Sequence, residues 1–255
     1  MKIPMAEDSA WRFSANLGFL WKDRPFVERI GFAAASGFEA IEFHDDAQTC
    51  DPHALRDAVA RANLPVLGLN VRMGKSAGCA AICGMGDQAR RDVDAAIAVA
   101  KAIGARAVHV LAGKTAGEGD YAQFLDVLRH ALRNSDLTIL IEPISASAMP
   151  GYFLDSPDLA MPVIGDIGHE RLKILFDCFH IESAHGNTAA RFRAVARSVG
   201  HVQIASVPGR SEPWPSRIDY AELLPAIRAC GYRGMFGCEY TPVATVEAGL
   251  GWRDE

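Results

Sequence analysis

Ile139-Leu140-Ile141-Glu142-Pro143 is an apolar run that stops on a carboxylate, and Met235-Phe236-Gly237-Cys238-Glu239-Tyr240 repeats the design further along the chain. A short continuous run of this kind is how a strand covered on both faces of a parallel sheet reads, and the charge marks where it surfaces. Lys173-Ile174-Leu175-Phe176-Asp177 is a third example between them. Any one of these carboxylates could merely cap the next helix or pair with an arginine. Three in the same strand-end position point to a site on a rigid scaffold.

The same pattern extends to both ends of the chain. Candidate strands lie near 13–17, 39–43, 65–70, 106–111, 138–142, 173–177, 200–205 and 235–239, and their last polar residues are Asn16, Glu42, Asn70, His109, Glu142, Asp177, Gln203 and Glu239. Seven intervals of about 32 residues separate the first of these from the last, which suits one strand-plus-helix unit each. Eight such units predict an α/β fold, a single (β/α)8 TIM barrel domain over residues 1–255 with its active site at the C-terminal mouth of the strands. An open doubly wound sheet is the alternative, but no Gly-x-Gly-x-x-Gly follows the first strand. Val93, Ile97, Ala100 and Ile103 keep helical spacing between Asp87 and Ala105, with Gly104 suited to the C-terminal cap. A first helix is expected from near Asp23, with Pro25 in its opening turn, to Gly37. Asp219 and Glu222 have capping-box spacing for a helix ending at Gly231, inside which Pro225 predicts a kink or a late start.

Composition excludes several classes. With 49% hydrophobic and 22% charged residues the chain is neither disordered nor fibrous. A net charge of −5 argues against a nucleic-acid binder with a broad basic face. No stretch has the apolar length to cross a bilayer, and Met1 to Arg12 is too polar and acidic for a signal peptide, so a cytoplasmic location is expected. Cys50, Cys79, Cys83, Cys178, Cys230 and Cys238 form no Cys-x-x-Cys pair and read as reduced core thiols. Self-association into a homo-oligomer stays open.

Two long connections stand out. Val71 to Gly86 is rich in small residues, as a flexible lid or a plain surface excursion would be. Ser206 to Arg217 carries Pro208, Pro213 and Pro215, an ordered path that would present Arg210 as a fork-shaped donor or leave it in solvent.

Glu142, Asp177, Gln203 and Glu239 would all direct oxygen atoms into the barrel mouth. An all-oxygen set favours a hard cation, Mg²⁺ or Mn²⁺, which can polarise two adjacent oxygens of a hydroxy-carbonyl substrate. Carboxylates on either side could then move a proton between the two carbons, which makes Glu142 and Glu239 the candidate acid/base pair. His180 could donate to a substrate oxygen, and Glu42 would suit the mouth without an assigned role. Asn16 and Asn70 are each read as a substrate contact or a turn residue, with the turn preferred for Asn70, and His109 as a satisfied structural histidine.

Several stretches resemble the hydroxypyruvate isomerase family. They are Arg12-Phe13-Ser14-Ala15-Asn16-Leu17, Ile141-Glu142-Pro143-Ile144 with Met149-Pro150-Gly151-Tyr152-Phe153-Leu154, His201-Val202-Gln203-Ile204-Ala205 with Val207-Pro208-Gly209-Arg210, Gly237-Cys238-Glu239-Tyr240, and Glu247-Ala248-Gly249-Leu250-Gly251-Trp252. The resemblance covers nearly the whole chain and implies a xylose-isomerase-like TIM barrel, a group that also holds ketose epimerases and an endonuclease branch. It implies Glu142 and Glu239 as the acid/base pair, Glu142, Asp177, Gln203 and Glu239 as the metal site, and His180 and Arg210 approaching the substrate. The implied reaction interconverts hydroxypyruvate and tartronate semialdehyde through an enediol. The chain departs from the family at Ser145-Ala146-Ser147-Ala148, where Asn and an Arg-Asp pair are usual, at Ser206 in place of Asp, at Ser211 and Trp214, and in the 71–86 loop. Retained chemistry beside altered loops leaves a 2-oxo-tetronate isomerase or a sugar epimerase as the alternative, with a small hydroxy-oxo acid or sugar as the ligand.

Overall fold

The computed structural model describes residues 11–115 and 118–253. The signal-peptide reading of Met1 to Arg12 falls, save for its last two residues, outside the described residues. Eight parallel strands close on themselves in chain order, β1 (Phe13–Asn16), β2 (Ala40–Phe43), β3 (Val66–Asn70), β4 (Ala107–His109), β5 (Thr138–Ile141), β6 (Leu172–Asp177), β7 (Val199–Ile204) and β8 (Phe236–Cys238). Closure is made by β1 and β8, with Phe13 in register with Phe236. The helices follow as α1 (Phe26–Ala35), α2 (Pro52–Ala62), α3 (Gly86–Ile103), α4 (Tyr121–Asn134), α5 (Pro157–Ile167), α6 (Cys178–His185), α7 (Thr188–Val195), α8 (Tyr220–Ala229) and the short α9 (Val246–Gly249). The expected barrel is the observed one.

Alternation along each strand sorts side chains between two cores. Outward residues such as Ile139, Ile141, Ile174 and Phe176 join the large apolar layer under the helices. Phe176, for example, meets Phe192 of α7 edge-on at 5.1 Å. Inward residues Ala107, Leu140 and Leu175 form a small separate apolar cluster inside the barrel. Two residues further along the same inward faces come His109, Glu142 and Asp177, all buried. The strand periodicity thus stacks a polar layer on an apolar plug, and that layer is where the site sits.

Local chemistry sets the helix ends. Gly104 takes the left-handed conformation that closes α3, which ends where its sequence period ends. α1 begins at Phe26, after Pro25, slightly later than expected. Asp219 accepts from the backbone nitrogens of Ala221 and Glu222 and so starts α8 at Tyr220. Pro225 therefore lies inside the helix, and the start is not delayed. Among the described residues no helix is long and apolar enough to cross a membrane. All six cysteines are free. Cys79, Cys178 and Cys238 are buried as expected, whereas Cys83 is exposed on the 71–86 loop.

Candidate active site

Asp177 is the last residue of β6 and the N-cap of α6, and it does both of the ordinary jobs a strand-end carboxylate can do. Oδ1 accepts from the Phe179 backbone nitrogen at 2.8 Å, and Oδ2 accepts from Arg210 Nη2 at 2.7 Å. Burial still dominates, and it raises this carboxyl to about 6 against the pull of Arg210. Glu142, one residue past β5, has no such support. Oε1 lacks a hydrogen-bond partner and lies 3.7 Å from His180 Nε2, while Oε2 lies 3.8 Å from His109 Nε2. Burial first, then the charges of Glu239 and Asp177, push its carboxyl well above the ordinary range.

Glu239, one residue past β8, is buried in the opposite electrostatic setting. Its Oε1 is 3.1 Å from His44 Nε2, and its Oε2 is 3.5 Å from Arg210 Nη2. Burial favours the neutral acid, but Arg210 and then His44 hold the carboxyl down at about 2. Arg210 also donates from Nε to the Glu239 carbonyl at 3.4 Å. Its guanidinium is clasped between the rings of Phe19 and Phe179, 4.8 and 5.0 Å from their centroids. The 206–217 loop therefore turns Arg210 inward, and the solvent-facing alternative is set aside.

The histidines sit on the Glu142 side as neutral bases. Burial, with Arg210 helping, lowers His180 to about 3, and burial lowers His109 to about 4. His180 Nδ1 lies 3.2 Å from Ser145 Oγ, and its Nε2 is 3.7 Å from both Glu142 and Asp177. With two carboxylates at Nε2 the ring proton belongs there, and Ser145 donates to Nδ1. His109 is not the satisfied structural histidine expected. Nδ1 contacts Asn70 Oδ1 at 3.0 Å, but Nε2 is buried without a partner and faces Glu142. Asn70 is accordingly an orienting residue for His109, not a turn residue.

A second polar layer lies just below. Glu42 and Gln203 each fall one residue before the end of their strands, not after it. Gln203 Nε2 donates to Glu42 Oε2 at 2.9 Å, and Glu42 Oε1 accepts from Ser14 Oγ and lies 2.9 Å from His201 Nε2. Burial pulls His201 down, but the adjacent Glu42 carboxylate more than offsets it and raises the group. Both Glu42 oxygens are thus engaged by protein partners inside the barrel, below the place at the mouth that the sequence suggested. Asn16 has the turn role, because Oδ1 accepts from Gly18 N at 2.9 Å and its carbonyl accepts from Phe19 and Leu20. Glu42, Asn70, His109, His201 and Gln203 border a cavity of about 20 Å³, room for one water.

Among the described residues, the group of His, Cys, Asp and Glu side chains that could hold a metal ion is Glu142, Asp177 and His180, whose ligand atoms all lie within 4.8 Å of one another. This set has an imidazole where four oxygens were expected. Glu239 is tied to the cluster through Arg210, whose Nη2 touches both it and Asp177. Gln203 pairs in register with Asp177, and its Oε1 is buried without a partner. Orphaned buried acceptors at Glu142 and Gln203, beside carboxyls raised by burial and mutual repulsion, are what a cation would satisfy. His44, His201 and Ser145 were not singled out by the sequence. His201 was legible as the inward neighbour two residues before Gln203, whereas His44 lies past its strand in a loop whose path the sequence does not specify.

The 71–86 connection is packed, not open. Gly78 bridges Ala112, Ala81 N donates to the Ala112 carbonyl at 2.7 Å, and Gln123 of α4 donates to the carbonyls of Ala80 and Ile82. Near its end, the tip from Cys83 to Met85 is exposed. Trp214, in the other long loop, is exposed.

The family described as xylose isomerase-like TIM barrel matches residues 30–255. The hydroxypyruvate isomerase of Escherichia coli K12 is 36% identical, over 95% of this chain and 98% of its own. The 2-oxo-tetronate isomerase of Cupriavidus necator H16 is 34% identical, over 94% of this chain and 96% of its own. A solved structure from Brucella melitensis, described as AP endonuclease, family 2, superposes with a TM-score of 0.90 at 31% identity, covering 94% of this chain and 97% of that one.

Proposed function

The chain belongs to the xylose isomerase-like TIM barrel family, and from that premise we propose that it interconverts a small hydroxy-oxo acid with its carbonyl isomer through an enediol. Hydroxypyruvate and tartronate semialdehyde are the first pair, in line with the E. coli relative. A four-carbon 2-oxo acid is the second, favoured by the similar identity to the C. necator 2-oxo-tetronate isomerase.

The observation that carries the reading is the unequal carboxylate pair. Glu239 is held charged by Arg210 and His44, whereas Glu142 is driven towards its neutral form. Two titratable groups pushed apart in this way are how one site supplies both a base and an acid. In the forward direction Glu239 removes a proton from the hydroxymethyl carbon, and the opposite carboxyl returns one to the neighbouring carbon, the former ketone. The hydroxyl proton moves between the two substrate oxygens, with the Nε2 proton of His180 placed to bridge it. Arg210, clasped by two rings, keeps Glu239 and Asp177 in place.

Glu142, Asp177, Gln203 and Glu239 would hold a divalent cation, Mg²⁺ or Mn²⁺, with His180 beside them. When bound it would polarise the two substrate oxygens and lower the cost of the enediol. A nuclease role is disfavoured, because a buried cluster of carboxylates repels a phosphodiester and the chain has a net charge of −5.

Proton exchange from hydroxypyruvate and from 2-oxo-tetronate in D₂O, with and without chelator, tests the proposal. Deuterium should enter at the carbon alpha to the carbonyl only with active protein, and no exchange on either acid would defeat the reading. Mn²⁺ binding should also release a proton, because the raised carboxyl of Asp177 must ionise to bind it. Calorimetry in buffers of different ionisation enthalpy measures that release.

A further inference from the structure

Gln203 and Glu42 lie 161 residues apart in sequence and meet inside the barrel at 2.9 Å. The contact settles which end of the glutamine amide faces which way. A carboxylate is only an acceptor, so the atom that meets Glu42 Oε2 must be Nε2. The reverse orientation would set two acceptors against each other and strand a buried NH₂ group.

Glu42 is itself fixed. Oε1 accepts from Ser14 Oγ on β1 and sits 2.9 Å from His201 Nε2 on β7. Gly237 on β8 leaves the room for this cluster, because a Cβ there would collide with Glu42 Oε1, Gln203 Cγ and His201 Nε2. Side chains on two other strands therefore hold one carboxylate, in room left by Gly237, and its remaining oxygen points the Gln203 amide. The Gln203 Oε1 left over is buried and has no partner, and register sets its residue directly beside Asp177.

We infer that Glu42 is a positioning residue that turns the Gln203 carbonyl oxygen, not its NH₂ group, towards the Glu142–Asp177–Glu239 cluster as the fourth oxygen donor to a divalent cation. The inference rests on reading Gln203 as a ligand to that cation. Glu42 touches no reacting atom in this arrangement and acts only through Gln203.

Mn²⁺ titration calorimetry on the metal-stripped full chain tests it, with melting temperature measured beside each affinity. Gln203→Leu and Glu42→Ala should each weaken Mn²⁺ binding about 10–100-fold, the usual cost of disturbing a ligand's support. The double variant should bind no worse than Gln203→Leu alone, because both changes remove the same oxygen. Glu42→Gln keeps an oxygen that accepts from Gln203 Nε2 and should recover most of the affinity, which a merely space-filling role would not require. If Glu42→Ala fails to fold, Glu42→Met fills the same volume without an acceptor and should show the same loss. If Gln203→Leu weakens binding while Glu42→Ala and Glu42→Met bind like wild type, Glu42 does not position the ligand and only the ligand assignment survives. If Gln203→Leu itself binds Mn²⁺ like wild type, Gln203 is no ligand and the inference falls with that assignment, while the D₂O exchange result stands or falls independently.

Discussion

Glu142 and Glu239 occupy equivalent places, each one residue beyond the end of an apolar strand and each buried, yet their surroundings differ. Glu142 faces two neutral histidines, and one of its oxygens has no hydrogen-bond partner. Glu239 has an imidazole on one oxygen and a guanidinium on the other. Strand geometry decides where a carboxylate is, but side chains from other elements decide its charge. His44 comes from the connection after β2 and Arg210 from the one after β7. A barrel can therefore set two carboxylates on equivalent mounts and tell them apart by the side chains that surround each.

The largest expected effect of that asymmetry is on turnover. Glu239→Gln keeps the shape and an oxygen but removes the proton acceptor, so turnover should fall roughly 10²–10⁴-fold. Mn²⁺ affinity must be measured in the same variant, because lost metal would also lower the rate. A variant that binds Mn²⁺ and exchanges substrate protons at the wild-type rate would remove Glu239 from the mechanism.

The barrel and the strand-end carboxylates were legible because both follow from short periods. Continuous apolar runs mark eight strands within one or two residues of their observed ends. The alternation that faces Leu140 and Leu175 inward also faces Glu142 and Asp177 inward. Depth is harder to read. Treating the last polar residue of every strand as equivalent puts Glu42 at the mouth, whereas it falls one residue short, and at about 3.3 Å per residue that is a layer lower. The electrostatic partners were legible only in part: Arg210 reads as a fork-shaped donor, but nothing in the sequence ties it to Glu239. His44 reaches Glu239 across 195 residues, and no local pattern encodes a contact made only when the barrel closes. His109 escapes a reading from sequence for the same reason, since its unpartnered nitrogen is visible only once Glu142 is opposite it.

Stability should divide the two glutamates by sign. The folded-state carboxyl of Glu142 is raised, so its contribution is fully present below the ordinary carboxylate range and is lost as pH rises towards its folded value. Metal-free Glu142→Gln escapes that loss and should be more stable than wild type at pH 8. Glu239 is lowered to about 2, so its contribution is present above the ordinary range and is lost as pH falls through about 2. Metal-free Glu239→Gln should therefore be less stable at the same pH. Denaturant melts of the two variants at pH 5 and pH 8 measure this, and a change of the same sign in both would show that their environments are alike after all.

The smallest effect should come from His44. Its Nε2 is one of two supports of Glu239, and Arg210, the stronger, remains when it is removed. His44→Gln should therefore let the Glu239 carboxyl rise only part of the way to its ordinary range. The base would then be partly protonated at the acidic edge of the activity profile. The variant should lose about two- to fivefold in kcat/KM there and less at higher pH, with the acidic limb displaced upward. The measurement is a full pH profile of kcat/KM for wild type and His44→Gln at saturating Mn²⁺. Superposable limbs would mean that Arg210 alone sets Glu239. A uniform loss as deep as that of Glu239→Gln would mean that His44 handles the substrate proton itself, and the division of labour between the two sides of the mouth would need redrawing.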